Sequence, residues 1–450
     1  MKIFVGGAGA GKTRNMSSRI LGCNIPQGKI VYCVAFTNSA VENIRARLLK
    51  TCGEIPSNIR VSTIHSFLYT ELVRPFYHLL YGKRYRGISI ISLPDDVRFH
   101  NARVKELDEQ GLLHQTVIPQ RAKWVADKKS GDAARIQALR EKLLTYFASY
   151  CYKVFVDEAQ DLNKDMTAVL KALESVGIDI ELYGDPKQDL RGYGCFRELI
   201  DMHESAIYDN VCHRCPQMHL RLSNTLARRE ERQTAAKHNC TGSIDVYYES
   251  IVDVNELIEA DKYDLVYISK KNDRYETHSH EFNEDDFPTL LHEVTLAVSE
   301  KFGSTISELE TKRIAYYLTE HMLSFVANGG QPKEAITKCI NAKFFDYEKK
   351  RFARMASALK GGKDSPTGKI SVKSIDAVKG LEGTKCLFIL TQDLVPYLLG
   401  EKMDDNKTKH LLYVALTRSL DELAILVTHE VERAYSKEKI ESAIEAPPFE

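Results

Sequence analysis

The sequence predicts an α/β protein in which two parallel sheets are flanked by helices. Short apolar runs alternate with stretches that suit helices, and this alternation is typical of parallel strands joined by helical crossovers. The runs fall into two clusters, one before about residue 210 and one after about residue 240, which predicts two such domains. The predicted strands cover residues 3–5, 30–35, 154–156, 180–183, 265–268, 386–390 and 423–427.

Two long, charge-rich helical stretches interrupt these clusters and predict mainly helical insertions. The 450 residues of the chain are enough for several domains of ordinary size. The predicted parts are a first α/β domain at residues 1–70 and 149–210, its helical insertion at 71–148, a second α/β domain at 211–272 and 363–450, and its reduced helical insertion at 273–362.

The composition is that of an ordinary globular protein and limits how the chain can bind its partners. The 62 Lys and Arg residues balance 62 Asp and Glu residues, so a nucleic acid would have to bind a local basic groove. No apolar run is long enough to cross a bilayer, and the first residues lead into a predicted strand instead of a signal peptide. We therefore expect a cytoplasmic protein without a membrane partner.

A glycine-rich loop follows the first predicted strand and precedes a predicted helix. Its residues are Gly6-Gly7-Ala8-Gly9-Ala10-Gly11-Lys12-Thr13-Arg14. The glycines let successive backbone N–H groups curl around phosphate oxygens, and the helix N-terminus adds a favourable dipole. Lys12 is placed to reach the β- and γ-phosphates of a nucleotide, and Thr13 to hold Mg²⁺. The loop therefore predicts a nucleoside triphosphate site.

An acidic pair, Asp157 and Glu158, follows the predicted strand at residues 154–156. Adjacent carboxylates at the end of a buried strand repel each other, so they need a cation or a role in proton transfer. Asp157 is predicted to hold Mg²⁺ through water, and Glu158 to act as a general base on an attacking water. Taken alone, the pair also suits an acidic turn without any catalytic role.

Ten cysteines are scattered without a repeating spacing, as expected for buried thiols in a reducing compartment. Cys212, His213 and Cys215 resemble half of a zinc site, for which His238 and Cys240 are the remaining candidates. A second close cysteine pair is missing, which disfavours zinc.

Seven separate blocks of the chain occur in a fixed order, at residues 6–13, 35–40, 62–67, 157–161, 184–190, 374–382 and 413–418. Any single block is a weak signal, and the specific signal is the combination of Asp157-Glu158-Ala159-Gln160-Asp161, Gly184-Asp185-Pro186-Lys187-Gln188 and Val414-Ala415-Leu416-Thr417-Arg418. Together the blocks resemble superfamily 1 DNA helicases of the UvrD/Rep type. The resemblance implies two RecA-like P-loop NTPase domains that use ATP and Mg²⁺ and bind single-stranded DNA or DNA ends.

The resemblance also implies a nucleotide site built from both domains. Gln188 would sense the γ-phosphate, while Arg214 and Arg418 would stabilise charge on the transferring phosphoryl group. Glu382 would contact the nucleotide sugar, and His213 replaces a tyrosine that stacks on adenine. The implied catalytic residues are Lys12, Asp157, Glu158, Gln188, Arg214 and Arg418, and the other implied nucleotide contacts are Gly6, Gly9, Gly11, Thr13, Arg14, His213 and Glu382.

For DNA, the resemblance implies contacts from Phe36, Asn38, Thr63 and His65, and Tyr193 takes the position of a tryptophan that stacks on a base. The alternative for each side chain is a place in the core, which is the usual position of aromatic residues near a sheet.

The chain departs from the family in several places. The family's upstream glutamine, which reads adenine, is not expected here, so other nucleotides stay open as substrates. Asp376 replaces a histidine and Ser39 a basic residue, which predicts fewer contacts to the DNA backbone. Because the second insertion is also short, strand separation is expected to be weak, to be autoinhibited differently or to depend on a partner.

The spacing of the blocks is most like that in the UvrD-like B subunits of Gabija anti-phage systems. Phage-encoded or repair helicases are the competing assignment. This likeness implies a hetero-oligomer with an OLD-family nuclease subunit. The leading hypothesis is an ATP-dependent single-stranded DNA translocase or helicase of 3′-5′ polarity, acting in defence, repair or replication. The alternatives are a DNA-stimulated ATPase that activates a partner nuclease without processive unwinding, and an RNA helicase of the same superfamily.

Overall fold

The computed structural model describes residues 1–203, 205–236, 242–277, 286–359 and 369–446. The chain divides into two compact units, each assembled from separate stretches. The first unit comprises Met1–Arg84, Ile118–Thr277 and Val372–Glu450, and the second comprises Tyr85–Val117 and His278–Ser371. Within the described ranges, no helix is both long enough and apolar enough to cross a membrane.

Strands and helices are numbered along the chain. The strands are β1 (Lys2–Gly6), β2 (Ile30–Ala35), β3 (Ile59–Thr63), β4 (Gly87–Ser89), β5 (Leu112–His114), β6 (Cys151–Val156), β7 (Asp179–Gly184), β8 (Ile207–Asp209), β9 (Val211–Cys212), β10 (Thr234–Ala235), β11 (Ser243–Tyr248), β12 (Leu265–Ile268), β13 (Tyr275–Glu276), β14 (Ile370–Ser371), β15 (Lys373–Ser374), β16 (Gly383–Leu390) and β17 (Ser419–Val427). The α-helices are α1 (Lys12–Leu21), α2 (Asn38–Cys52), α3 (Ile64–Phe67), α4 (Arg74–Tyr81), α5 (Val97–Glu109), α6 (Ile118–Ala126), α7 (Ala134–Tyr150), α8 (Lys164–Ser175), α9 (Cys195–Met202), α10 (Gln217–Asn224), α11 (Val254–Asp261), α12 (Asp286–Phe302), α13 (Glu308–Ala327), α14 (Pro332–Asn341), α15 (Lys349–Leu359), α16 (Ile375–Val378), α17 (Val395–Leu398), α18 (Lys407–Leu416), α19 (His429–Ala434) and α20 (Lys437–Glu445).

The first unit contains a six-stranded parallel sheet, the first sheet, with strand order β3-β2-β6-β7-β1-β8. Its inner strands are largely buried on both faces, which explains continuous apolar sequences such as that of β2. Met16 of α1 and Ile44 of α2 pack against Val31 and Cys33 of β2. Because all strands run in one direction, the loops after β1, β2, β3, β6 and β7 leave the sheet at the same edge.

The same unit contains a five-stranded parallel sheet, the second sheet, with strand order β11-β17-β16-β12-β15. Tyr267, Phe388 and Ile425 of its strands share a core with helix α18. Ala8 and Leu190, from loops of the first sheet, belong to that core as well. Two parallel sheets flanked by helices confirm the predicted fold class of two RecA-like domains, and their adjoining loops pack together.

The second unit is mainly helical. Helices α12 to α15 enclose a core that includes Leu290, Leu318 and Ile336, and β4 pairs with β5 in a short parallel ribbon. Glu293 of α12 is almost completely buried and forms an ion pair with Arg103 of α5. Since a buried charge needs a partner, this pair fixes α5 on the helical core.

The four predicted parts stay a prediction, and the compact units divide the chain differently. Residues 71–84 and 118–148, expected in the first insertion, lie in the unit that holds both sheets. Phe147 of α7 is buried against Tyr32 and Phe67, so this helix packs on the first sheet. The predicted boundary between residues 362 and 363 lies outside the described residues.

Candidate nucleotide and nucleic-acid site

The glycine-rich loop connects β1 to α1. Gly9 and Gly11 have φ angles of 69° and 78°, in the left-handed region that glycine adopts without strain. The Lys12 ammonium donates hydrogen bonds to the carbonyl oxygens of Gly6 at 2.9 Å and Gly7 at 3.2 Å. It is therefore held at the start of the loop, while Arg14 is exposed on the first turn of α1.

The acidic pair lies beside this loop, at the end of β6. The Thr13 hydroxyl donates a hydrogen bond to Asp157 Oδ2 at 2.8 Å, which joins the two candidate magnesium ligands. Burial, with a contribution from the charge of Glu158, raises the pKa of Asp157 to about 6. Glu158 has a φ of 56°, which is uncommon outside glycine, and such conformations cluster at functional sites.

The oxygen atoms of Thr13 and Asp157 fit Mg²⁺, which prefers oxygen ligands. A divalent cation beside Asp157 would favour its charged form and so oppose the burial that raises its pKa. Among the described residues, no group of three or more His, Cys, Asp and Glu side chains is arranged to hold a metal. The ion would therefore need further oxygens from the nucleotide and from water.

Gln188 is buried just after β7 in a connected group of polar side chains. Its amide donates a hydrogen bond to Asp185 Oδ2 at 2.9 Å, and Lys187 pairs with the other oxygen of that carboxylate at 3.0 Å. Gln160 accepts the Asp185 N–H at 3.0 Å and donates to the carboxylate of Glu158. Gln160 thus connects the candidate base to the network around Gln188.

Residues 211–236, the junction segment, lead from the first sheet towards the second and pack on the phosphate loop. The His213 N–H donates to the Gly9 carbonyl at 2.9 Å, and the Cys212 thiol to the Ala8 carbonyl at 3.1 Å. A methyl group on Gly9 would lie 2.4 Å from Arg214 Cβ, so the close approach requires glycine. His213 and Arg214 therefore lie at the loop, where the resemblance expects nucleotide contacts.

Arg214 and Arg418, the two candidate arginines, have different surroundings. Arg214 Nε pairs with Glu382 Oε2 at 2.7 Å, which brings two implied nucleotide contacts together, and the Arg214 side chain as a whole is 19% exposed. Arg418 is fully buried and donates to the carbonyl oxygens of Val414 at 3.0 Å and Leu381 at 3.2 Å. Burial lowers its pKa. Its guanidinium is thus bonded to backbone carbonyls of the second sheet domain and not to the phosphate loop. A role of Arg418 at the phosphate therefore stays a prediction.

Cys212 and Cys215 are buried in a small apolar cluster with Leu220. The contact between the two thiols lowers the pKa of Cys212 and raises that of Cys215. His238 and Cys240, the other zinc candidates, lie outside the described residues. The contacts of the two cysteines are those of packing residues at the junction with the loop.

An ion pair between Asp161 and Lys379 also joins a loop of the first sheet to the second sheet domain. The Lys379 ammonium lies 2.8 Å from both carboxylate oxygens of Asp161. Asp161 ends the acidic block after β6, and Lys379 belongs to the block that precedes β16. Two sequence blocks from different sheets therefore meet in a charge-assisted pair.

Four candidate DNA contacts lie where the neighbouring strands β2 and β3 end: Phe36 directly follows β2, Asn38 begins α2, Thr63 ends β3 and His65 lies in α3. Ala35 pairs with Thr63, so the two strand ends are adjacent. Phe36 is half-buried, and Asn38 is exposed at the start of α2. Burial lowers the pKa of His65, which favours a neutral imidazole. These positions share the edge of the phosphate loop, while their role in DNA binding stays a prediction.

Tyr193, the candidate for base stacking, lies in the loop between β7 and α9 and is 44% exposed. Asp189 fixes this loop by accepting hydrogen bonds from the N–H groups of Gly192 and Gly194, both at 2.8 Å. Phe67 differs, because it is buried against Tyr32. Tyr193 thus has an accessible ring on an ordered loop.

Sequence reasoning missed Gln233, which donates a hydrogen bond to the carbonyl of Ala8 at 3.1 Å. It also assigned no role to Tyr413, whose hydroxyl accepts the Ala8 N–H at 3.1 Å. Gln233 lies outside every sequence block, and its contact spans 225 residues of sequence. No local signal marks such a contact.

Comparison with known proteins found similarity over part of the chain. Residues 1–192 match the family model described as AAA domain. Over 199 residues, 42% of the chain, the sequence is 28% identical to the Gabija protein GajB of Bacillus cereus (strain VD045). That match spans 37% of GajB, little more than a third of its length.

Solved structures of Arterivirus nonstructural protein 10 (helicase), with and without DNA, align with TM-scores of 0.38 and 0.37 at 11% identity. These alignments cover 94% of this chain and 60% and 59% of those chains. The fold assignment rests on the two parallel sheets themselves. The chain is similar to GajB over part of its length, and its first 192 residues match the AAA domain family.

Proposed function

We propose that the chain is an ATP-dependent single-stranded DNA translocase or helicase that moves 3′ to 5′. The observation that carries this proposal is the packing of Arg214 and its segment on the phosphate loop. A nucleotide bound at this loop would meet residues of both sheet domains. Binding and hydrolysis would then change how the two domains fit together, which is how such motors move a strand.

At the loop, Lys12 would bind the β- and γ-phosphates, and the oxygens of Thr13 and Asp157 would hold Mg²⁺. When bound, Mg²⁺ supplies positive charge that stabilises the phosphate oxygens. Glu158 would orient the attacking water and accept its proton. Gln160, bonded to Glu158 and to Asp185, keeps that carboxylate in place.

From the second sheet domain, Arg214 would exchange its pairing with Glu382 for the charge that develops on the phosphoryl group. Gln188 would respond to the γ-phosphate through its bond to Asp185. Single-stranded DNA would bind at the same edge of the first sheet, on Phe36 and Tyr193. Nucleotide and strand would therefore share loops of one sheet edge, and hydrolysis should depend on DNA.

The proposal is tested by ATP hydrolysis with and without single-stranded DNA. We expect DNA to stimulate hydrolysis, and Lys12→Ala to abolish it by removing the phosphate-binding ammonium. Lys2→Ala is the matched control, because Lys2 lies on β1 but at its exposed start. Hydrolysis that survives in Lys12→Ala would overturn the assignment of the loop.

Movement is tested by displacement of streptavidin from biotinylated oligonucleotides. A 3′-to-5′ translocase should displace streptavidin from the 5′ end and leave it at the 3′ end. The opposite preference would reverse the proposed polarity.

The similarity to GajB favours a second candidate, a defence role in which DNA-stimulated hydrolysis activates a partner nuclease of the OLD family. This candidate predicts DNA-stimulated hydrolysis without streptavidin displacement. It also predicts that ATP and DNA raise the nuclease activity of a co-purified partner. Nuclease activity that is indifferent to Lys12→Ala would exclude it.

A further inference from the structure

Gln233 takes part in a closed ring of hydrogen bonds around one residue of the phosphate loop. The Ala8 N–H donates to the Tyr413 hydroxyl, that hydroxyl donates to Gln233 Oε1, and Gln233 Nε2 donates to the Ala8 carbonyl, each at 3.1 Å. Each of the three residues donates once and accepts once. All three are almost completely buried, so water does not compete for these bonds.

The backbone of Gln233 is held by hydrogen bonds of its own, separate from those that its side chain makes at the phosphate loop. Asn224 of α10 accepts the Gln233 N–H and donates to the Gln233 carbonyl, both at 2.8 Å. A methyl group on Gly7 would lie 2.0 Å from Gln233 Oε1, so glycine at this position leaves the space that Gln233 fills. A buried amide held in this way is preorganised and loses little freedom on binding the loop.

The ring connects three elements that carry candidate catalytic groups. Ala8 belongs to the loop of Lys12, and Tyr413 to helix α18. Gln233 directly precedes β10, which pairs with β9, and β9 leads into Arg214. From this geometry we infer that Gln233 and Tyr413 form a positioning pair, which sets the phosphate loop in register with Arg214. The inference rests on the proposed hydrolysis of ATP. It gives a role in that reaction to two residues for which the sequence alone predicts none.

The test compares Gln233→Met, Tyr413→Phe and the double variant in steady-state ATP hydrolysis with saturating single-stranded DNA. Methionine keeps the length of glutamine but makes neither hydrogen bond, and phenylalanine lacks only the hydroxyl. We expect each single variant to lower kcat about tenfold and to change KM less than about threefold, because groups that bind the ground state remain. Since one ring is broken in every case, the double variant should match the worse single variant.

Gln217→Met is the matched control. Gln217 lies in the same segment and accepts the Ala235 N–H at 2.8 Å, next to β9. This variant should lose a similar amount of thermal stability and keep its kcat. If Gln233→Met fails to fold, Tyr413→Phe alone decides the question through the same change in kcat.

Three results would overturn the inference: a kcat in Gln233→Met no lower than in Gln217→Met, a loss carried by KM alone, or additive effects in the double variant. Wild-type hydrolysis separates this failure from a failure of the proposed function. A wild-type protein that hydrolyses ATP through Lys12, combined with any of these results, rejects only the positioning pair.

Discussion

The two sheets contribute to the junction from opposite ends of their strands. In the first sheet, the candidate residues follow the strands: the phosphate loop follows β1, Asp157 follows β6, and the Gln188 loop follows β7. In the second sheet they precede the strands, because Glu382 lies directly before β16 and Arg418 directly before β17. The first sheet thus faces the junction with the carboxyl ends of its strands, and the second sheet faces it with the amino ends.

The carboxyl edge of the second sheet is closed by its own hydrogen bonds. The Thr428 hydroxyl donates to the Leu390 carbonyl at 3.0 Å, and Asp393 accepts from the hydroxyls of Ser269 at 3.2 Å and Thr391 at 2.7 Å. The loop of Lys12, by contrast, is bonded to its own backbone, to the junction segment and to Tyr413 of the second sheet domain. The difference suggests that the first sheet supplies the chemistry and the second supplies groups that control it.

The largest effect that tests this division is expected at Glu158. In Glu158→Gln the amide keeps the size of the side chain and cannot accept a proton, so turnover should fall about a hundredfold to ten-thousandfold. Nucleotide binding should persist, as measured with a fluorescent ATP analogue. Glu198→Gln, at an exposed position of α9, is the control and should behave as wild type. Wild-type turnover in Glu158→Gln would show that Glu158 is not the general base.

Matched substitutions of the two arginines should sharpen the comparison. Arg214→Met is expected to lower kcat about a hundredfold with little loss of stability, since its guanidinium is partly exposed and pairs only with Glu382 among the described residues. Arg418→Met should lower the free energy of unfolding by about 2 kcal/mol, because the buried carbonyl of Val414 and the partly buried carbonyl of Leu381 lose their donor.

Urea unfolding and steady-state hydrolysis measure the two effects in the same preparations. If Arg418→Met instead abolishes hydrolysis without any change in unfolding, Arg418 acts at the phosphate in a second arrangement of the domains. Arg418 of the second sheet domain would then join Arg214 of the junction segment at the phosphate, and the separation of the second sheet from the chemistry would be wrong.

The strands that could be read from the sequence are the inner strands of both sheets. The seven predicted strands correspond to β1, β2, β6, β7, β12, β16 and β17. The unpredicted strands β3, β8, β11 and β15 lie at the sheet edges. Inner strands are buried on both faces and read as continuous apolar runs, whereas an edge strand such as β3, with Arg60 exposed, mixes polar and apolar residues.

The candidate site was accessible to sequence reasoning where residues are close in sequence. The phosphate loop and the acidic pair are local patterns with a physical cause, since glycines and a helix start bind phosphate. The ring through Gln233 depends on the packing of one domain on the other, which no local pattern encodes. The burial of Arg418 is likewise a tertiary property, because residues 381 and 414 provide its acceptors.

The smallest expected effect concerns DNA and compares the two ends of the first sheet. Tyr193 follows β7 at the carboxyl edge, whereas Tyr152 is the second residue of β6 and comparably exposed, near the opposite edge. Tyr193→Ala should raise the concentration of single-stranded DNA that gives half-maximal hydrolysis by about tenfold, since stacking on a base contributes about 1–3 kcal/mol. The KM for ATP should stay unchanged, and Tyr152→Ala should match wild type in both measurements. Equal effects of the two substitutions would mean that the single-stranded DNA does not bind along the carboxyl ends of the strands of the first sheet. The binding of DNA and nucleotide would then not be coupled through shared loops.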